Sequence, residues 1–332
     1  MRNTFFCIDG HTAGNPVRLV VGGAPLLRGA TMGERRLDFL ERFDWIRNGL
    51  CFEPRGHDMM SGGFLYPPTR SDTDIGILFI ETSGCLPMCG HGTIGMVTFG
   101  LEHGLIVPRQ DGRLKIEVPA GLIDVEYAVA SGKVEWVRIR NVPAYVAATD
   151  IHIEVPDFGP LSVDVSYGGN YYAIVEPQGP YHGLDDLGAE RIKDLSRKVR
   201  SLVQKVCEPV HPLDPRIRGV SHVLWADQPR GQGADGRNAV FYGNGAIDRS
   251  PCGTGTSARL AHLVYKGRLK PGDRFVHESY IGSRFIGRVE ELTEVGGKPA
   301  IIPSIQGTAY TTGFNTIWID PDEPFPQGFS VV

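Results

Sequence analysis

Two short segments carry the residue types that do chemistry in this chain. Cys89-Gly90-His91-Gly92-Thr93 is matched by Cys252-Gly253-Thr254-Gly255-Thr256, 163 residues further on in a chain of 332. After each, a stretch of helical character runs to a glycine 15 residues beyond the cysteine, Gly104 and Gly267. The pattern predicts a turn, a helix N-terminus, about three to four helical turns and a glycine stop, twice over.

A cysteine just ahead of a helix faces the positive end of the macrodipole and the unpaired first-turn amides, which lower a thiol pKa. Glycines one and three places on remove side chains that would bar a ligand from those amides, so a carboxylate can dock beside a reactive sulfur. Either segment alone is an ordinary glycine-rich helix start. Two of them, both led by cysteine and both stopped alike, point to duplicated lobes with matched chemistry. A reaction that is nearly its own mirror image uses such a pair. In inversion at an α-carbon, one thiolate takes the proton from one face and one thiol returns a proton to the other. The amides of both helix starts would hold the carboxylate and the charge that develops on it.

The elements around these segments are mostly strands. In the first half, strand patterns cover 4–8, 18–21, 74–79, 114–118 and 122–129, with helices over 31–47 and 90–103. In the second half, strands fall near 136–142, 161–165, 170–175, 220–225 and 239–242, with helices over 189–207 and 253–266. Further short strands follow at 274–277, 285–289, 298–304 and 307–314. Gly22-Gly23, Ser61-Gly62-Gly63 and Pro67-Pro68 read as loops. This is an α+β chain of two pseudo-symmetric lobes, strands wrapped around a central helix in each. The first lobe is drawn at 1–130, regaining 310–332, and the second at 131–309.

Composition narrows the partners. Lys plus Arg total 34 against 38 Asp plus Glu, a formal charge of −4, so no basic surplus exists to neutralise nucleic-acid phosphates. The uncharged run 82–101 has membrane-spanning length, but its glycines and Pro87 argue against a membrane segment. No leader pattern opens the chain, and the cytoplasm is the expected compartment. Cys7, Cys51, Cys85 and Cys207 have no repeat partner and read as reduced, inert thiols. Cys85 and Cys89 form a lone C-x3-C without the second pair that zinc requires, so no metal is expected.

At these residues the sequence resembles the proline racemase family, and within it the 4-hydroxyproline 2-epimerase branch. Met88-Cys89-Gly90-His91-Gly92-Thr93 and Asp248-Arg249-Ser250-Pro251-Cys252-Gly253-Thr254-Gly255-Thr256-Ser257 look like its two catalytic signatures. Ile8-Asp9-Gly10-His11-Thr12-Ala13-Gly14-Asn15-Pro16-Val17-Arg18 and Glu53-Pro54-Arg55-Gly56-His57 look like two further blocks. The resemblance implies a diaminopimelate epimerase-like fold, a site in the cleft between the lobes, and no cofactor. It makes Cys89 and Cys252 the acid/base pair of a reaction linking trans-4-hydroxy-L-proline and cis-4-hydroxy-D-proline. Pyridoxal phosphate is not expected, because a secondary ring amine cannot form the neutral imine that cofactor uses.

The resemblance also implies that Gly90, His91, Gly253 and Thr254 bind the substrate carboxylate, chiefly through backbone amides. Asp248 would meet the ring ammonium, with His222 near the same nitrogen. Each has a plainer alternative: Asp248 as a turn cap, His222 as a core histidine, and His91 as a backbone donor only. Ser61 lies where family side chains meet the ring, and its hydroxyl would pair with the 4-hydroxyl. The expected partners are a small amino-acid substrate and at most a second copy of the chain. The nearest rival is proline racemase. The 3-hydroxyproline dehydratases carry threonine at the second cysteine, so Cys252 counts against them. A thiol redox enzyme lacks its C-x-x-C, and a non-catalytic amino-acid-binding module is the last option.

Overall fold

A computed structural model of the chain describes residues 2–243 and 245–331, so the outermost residues of the sequence, Met1 and Val332, lie outside it. Two compact units divide it: Met1–Ile139 with Gly307–Val332, and Arg140–Gln306. Both mix strands with helices, and the chain is α+β.

In the first unit, Asn3–Thr12 turns tightly through Ala13 and Gly14 into the antiparallel strand Asn15–Gly22. On its other side Asn3–Thr12 pairs antiparallel with Ala309–Ile319, which ties the chain's last strand to its first. Ser61–Tyr66 joins Asn15–Gly22 in parallel, then pairs antiparallel with Ile75–Glu81. The helices are α1 (Met32–Arg42), α2 (Asp44–Cys51) and α3 (Gly90–Glu102). Every residue from His91 to Gly100 of α3 is buried, and strands Asn3–Thr12, Asn15–Gly22, Ser61–Tyr66 and Ala309–Ile319 pack around it.

Two local readings change. The single helix expected over 31–47 is two. Thr31 Oγ1 accepts the Glu34 N–H as an N-cap, but Phe43 leaves helical geometry at φ −132°, ψ 9°, and the chain restarts at Asp44. The loop expected at Ser61-Gly62-Gly63 is the start of a buried strand. Gly62 pairs with Arg18 so closely that a Cβ would lie 2.1 Å from the Arg18 carbonyl oxygen. Glycine here serves close strand approach, not a turn.

In the second unit, Tyr145–Val155 and Gly159–Tyr167 form a long antiparallel hairpin, followed by Tyr171–Val175. His222–Asp227 adds in parallel, with Tyr172 opposite His222, and Gly236–Tyr242 returns antiparallel. Helix α4 (Gly188–Val206) buries Ile192, Leu195, Val199 and Val203, an apolar stripe at helical spacing, into a core that holds Trp225 and Phe241. Helix α5 (Gly253–Tyr265) is buried from Gly253 to Leu263 beneath Tyr145–Val155, Gly159–Tyr167, Tyr171–Val175 and Arg284–Val295.

The duplicated segments became equivalent elements. Helices α3 and α5 are 13 residues each. Both end in the same cap: Gly104 at φ 67° and Gly267 at φ 68°, a left-handed conformation that glycine adopts without penalty. Gly104 N–H donates to Leu101 O and Leu105 N–H to Gly100 O. Gly267 N–H donates to Val264 O and Arg268 N–H to Leu263 O.

Candidate active site

Each unit carries one thiol at the N-terminus of its central helix. Cys89 precedes α3 in extended backbone (φ −144°, ψ 113°) and is 7% exposed. The first intrahelical bond runs from Thr93 N–H to Cys89 O at 3.0 Å, so the amides before Thr93 project from the helix end. His91, itself buried, reaches back to Cys89 Sγ through Nδ1 at 3.6 Å. Its other nitrogen, Nε2, lies 2.8 Å from Ser61 Oγ and 3.0 Å from Asn15 Nδ2, and Thr12 Oγ1 donates to its carbonyl at 2.8 Å. Ser61 Oγ also donates to Pro16 O at 3.1 Å. The hydroxyl expected at the substrate ring is therefore engaged inside the first unit, on His91 and the Pro16 carbonyl.

Cys252 precedes α5 with φ 64°, ψ 113°, a left-handed-side conformation that costs a non-glycine residue about 1–3 kcal/mol. A serine turn holds it there. Cys252 N–H donates to Ser250 Oγ at 3.2 Å, while Ser250 N–H and Oγ–H both donate to Asp248 Oδ1 at 2.8 Å. Asp248 is 4% exposed, and Oδ1 caps this turn. Cys252 Sγ lies 3.3 Å from the Tyr172 hydroxyl and 3.8 Å from Thr254 Oγ1. Burial pushes the Cys252 thiol up to about 12, with the Asp248 charge adding to it. The Tyr172 hydroxyl, the Gly255 amide and the Thr254 hydroxyl pull the other way and do not prevail. The sequence leads one to expect a thiol lowered by the helix start; burial acts here in the opposite sense.

His222 packs tilted against Tyr172 with ring centroids 4.7 Å apart, stacks on Tyr242 at 6.0 Å, and bonds Ser221 Oγ through Nδ1 at 2.7 Å. Burial pulls its pKa down to about 3, which keeps the ring neutral at physiological pH. Thus Cys252, Gly253, Thr254, Asp248 and His222 belong to the second unit, while Cys89, Gly90, His91 and Ser61 belong to the first. Tyr172 is the residue the sequence reading missed. It sits in an apolar strand, and no local pattern marks a tyrosine whose hydroxyl ends on a thiol.

The remaining cysteines head no helix. Burial pushes Cys7, Cys51 and Cys85 up to about 12, and raises Cys207 above the ordinary thiol value. All six are free thiols. Among the described residues no group of three or more His, Cys, Asp and Glu is placed to hold a metal ion, and no helix is long and apolar enough to cross a membrane.

The other two sequence blocks share an arginine network, and the first also supplies Thr12 and Asn15 to His91. Arg18 pairs with both oxygens of Asp9 at 2.8 Å and donates to Leu50 O and Arg55 O. Arg55 in turn binds Gly49 O, Glu323, Phe325 O and Pro326 O, which fastens the C-terminal segment to the first unit.

A duplicated α+β architecture with a cysteine at the head of each central helix defines the class. The chain belongs to the proline racemase family, whose model matches residues 7–330. It is 58% identical over 330 residues, 99% of both chains, to a 4-hydroxyproline epimerase of Brucella ovis and a 4-hydroxyproline 2-epimerase of Brucella suis biovar 1. Among solved structures it is similar to a hydroxyproline epimerase of Agrobacterium vitis with bound trans-4-hydroxy-L-proline. The TM-score is 0.88 at 31% identity, over 99% of this chain and 95% of that one. A probable proline racemase of Agrobacterium radiobacter with bound carbonate gives 0.87 at 32%, over 98% and 96%. A PhzF-family protein of Bacillus anthracis, 16% identical with a TM-score of 0.66, shares the fold.

Proposed function

We propose that the chain is a cofactor-independent isomerase that interconverts trans-4-hydroxy-L-proline and cis-4-hydroxy-D-proline. The observation that carries this reading is the 58% identity across 99% of the chain to 4-hydroxyproline epimerases, with both cysteines heading equivalent helices.

In this mechanism the amides at the start of α3 and α5 bind the substrate carboxylate, which acidifies the α-hydrogen and takes up the charge that develops as it leaves. One cysteine, as thiolate, forms the S–H bond as the C2–H bond breaks. The other, as thiol, delivers its proton to the opposite face of C2, and the pair is left with the charges exchanged. Burial raises the Cys252 thiol, which favours its protonated, donating form before substrate binds. The buried Asp248 carboxylate suits the ring ammonium, and His222, neutral, offers its ring and remaining nitrogen beside it. Polarimetry with trans-4-hydroxy-L-proline, L-proline and 3-hydroxyproline in parallel tests the reading. Rotation should change fastest with the first, and a chain that turned over only proline would overturn the substrate assignment.

A further inference from the structure

Tyr172 lies outside both cysteine segments, yet its hydroxyl is 3.3 Å from Cys252 Sγ. The residue is fully buried, and burial, with the neighbouring Cys252 next in weight, keeps the phenol protonated. The hydroxyl also bonds Thr254 Oγ1, which accepts from Asn170 Nδ2 at 3.4 Å. We propose that Tyr172 is a positioning residue for the reaction: with Thr254 it forms a reversible hydroxyl pair that supports Cys252 both as thiol and as thiolate.

The proposal rests on the acid/base reading of Cys252, because that role makes the sulfur change protonation state in every turnover. Beside the thiolate, Asn170 N–H donates to Thr254 Oγ1, Thr254 O–H donates to Tyr172 Oη, and Tyr172 O–H donates to the sulfur. Beside the thiol, S–H donates to Tyr172 Oη, Tyr172 O–H donates to Thr254 Oγ1, and Thr254 O–H turns to the sulfur 3.8 Å away. Two O–H bonds rotate and no proton leaves either oxygen. A hydroxyl can do this because it both donates and accepts, whereas a carboxylate or an ammonium serves one state only.

The groups facing the sulfur fit that division of labour. Asp248 opposes the thiolate by its charge, while Tyr172, the Gly255 amide and Thr254 favour it. His222, packed tilted against the tyrosine, stays neutral and does not compete.

Tyr172→Phe keeps the ring and removes Oη. At pH 8 the iodoacetamide alkylation rate of Cys252, read by peptide mapping without substrate, should fall about tenfold, one pKa unit. Cys89 should stay within about twofold, and the acid limb of the kcat/KM profile should move up by about one unit in the direction in which Cys252 is the base. Thr254→Ser should keep the Cys252 alkylation rate and Thr254→Val should lose it, with melting curves confirming that each variant is folded. An unchanged Cys252 rate in folded Tyr172→Phe, or equal slowing at both cysteines, would overturn the hydroxyl pair. A slowed Cys252 with an unmoved epimerase profile would keep the pair and overturn the acid/base role of the cysteine instead.

Discussion

Ser61 Oγ lies 2.8 Å from His91 Nε2, on the side of the imidazole away from Cys89, which meets Nδ1 at 3.6 Å. The serine is thereby hydrogen-bonded to the imidazole that faces the thiol. If its hydrogen goes to Pro16 O, His91 Nε2–H donates to Ser61 and the Nδ1 lone pair faces the thiol. If Nε2 instead accepts, from Ser61 or from the Asn15 amide, Nδ1–H faces the sulfur. The imidazole can accept from S–H or donate to the thiolate, according to its tautomer.

Ser61→Ala should therefore lower kcat/KM for 4-hydroxyproline and for proline by similar factors, about 2- to 10-fold, the worth of one neutral hydrogen bond. Steady-state kinetics on both substrates checks this. If only hydroxyproline suffers, so that the ratio narrows, the serine reads the ring hydroxyl after all.

Asp164 carries the charge network behind α5. Its carboxylate accepts from His262 Nε2 at 2.7 Å and Lys266 Nζ at 2.9 Å. Burial pushes its pKa up, but these hydrogen bonds outweigh it and hold the group below the ordinary carboxylate range. A depressed folded pKa contributes stability above the unfolded value near 4 and loses it as pH falls. Asp164→Asn should cost about 2 kcal/mol at pH 7, from hydrogen bonds to a charged group. The gap to wild type should shrink at pH 3. Urea unfolding at the two pH values measures it, and a gap that widens in acid would refute the network's sign.

Arg55 anchors the C-terminal segment, and its loss removes one donor from each of three carbonyls, Gly49 O, Phe325 O and Pro326 O, and from the Glu323 carboxylate. Arg55→Ala should speed chymotryptic trimming at Phe329 several-fold, while activity changes less than stability. Mass spectrometry of a digestion time course reads both sites of cleavage and rate. Equal trimming of variant and wild type would show that the segment is held by its other contacts.

Local physics made part of this molecule legible in the sequence and tertiary physics hid the rest. The two central helices, their cysteine starts and their glycine stops follow from propensity, capping and positive φ, all properties of a few neighbouring residues. The strand at Ser61 was read as a loop because glycine signals turns, and only its parallel neighbour Arg18 shows why a side chain cannot fit. The break at Phe43 has no strong stop signal, so two short helices looked like one. Tyr172 and the raised Cys252 thiol depend on which strands cover α5, and no spacing along the chain encodes that. The strand Tyr145–Val155 was missed for another reason: Ala147-Ala148-Thr149-Asp150 breaks its alternation, where its pairing with Gly159–Tyr167 is irregular.

The two-thiol mechanism makes its sharpest claim about where solvent hydrogen appears. In D2O, with trans-4-hydroxy-L-proline and short reaction times, NMR of the C2 position should find deuterium in the cis-4-hydroxy-D-proline product and almost none in recovered substrate, because each face has its own proton carrier. Cys89→Ser and Cys252→Ser should each lose epimerisation by several orders of magnitude, a hydroxyl being far too weak an acid and base. Deuterium entering recovered substrate as fast as product, or near-normal turnover in either serine variant, would contradict the account.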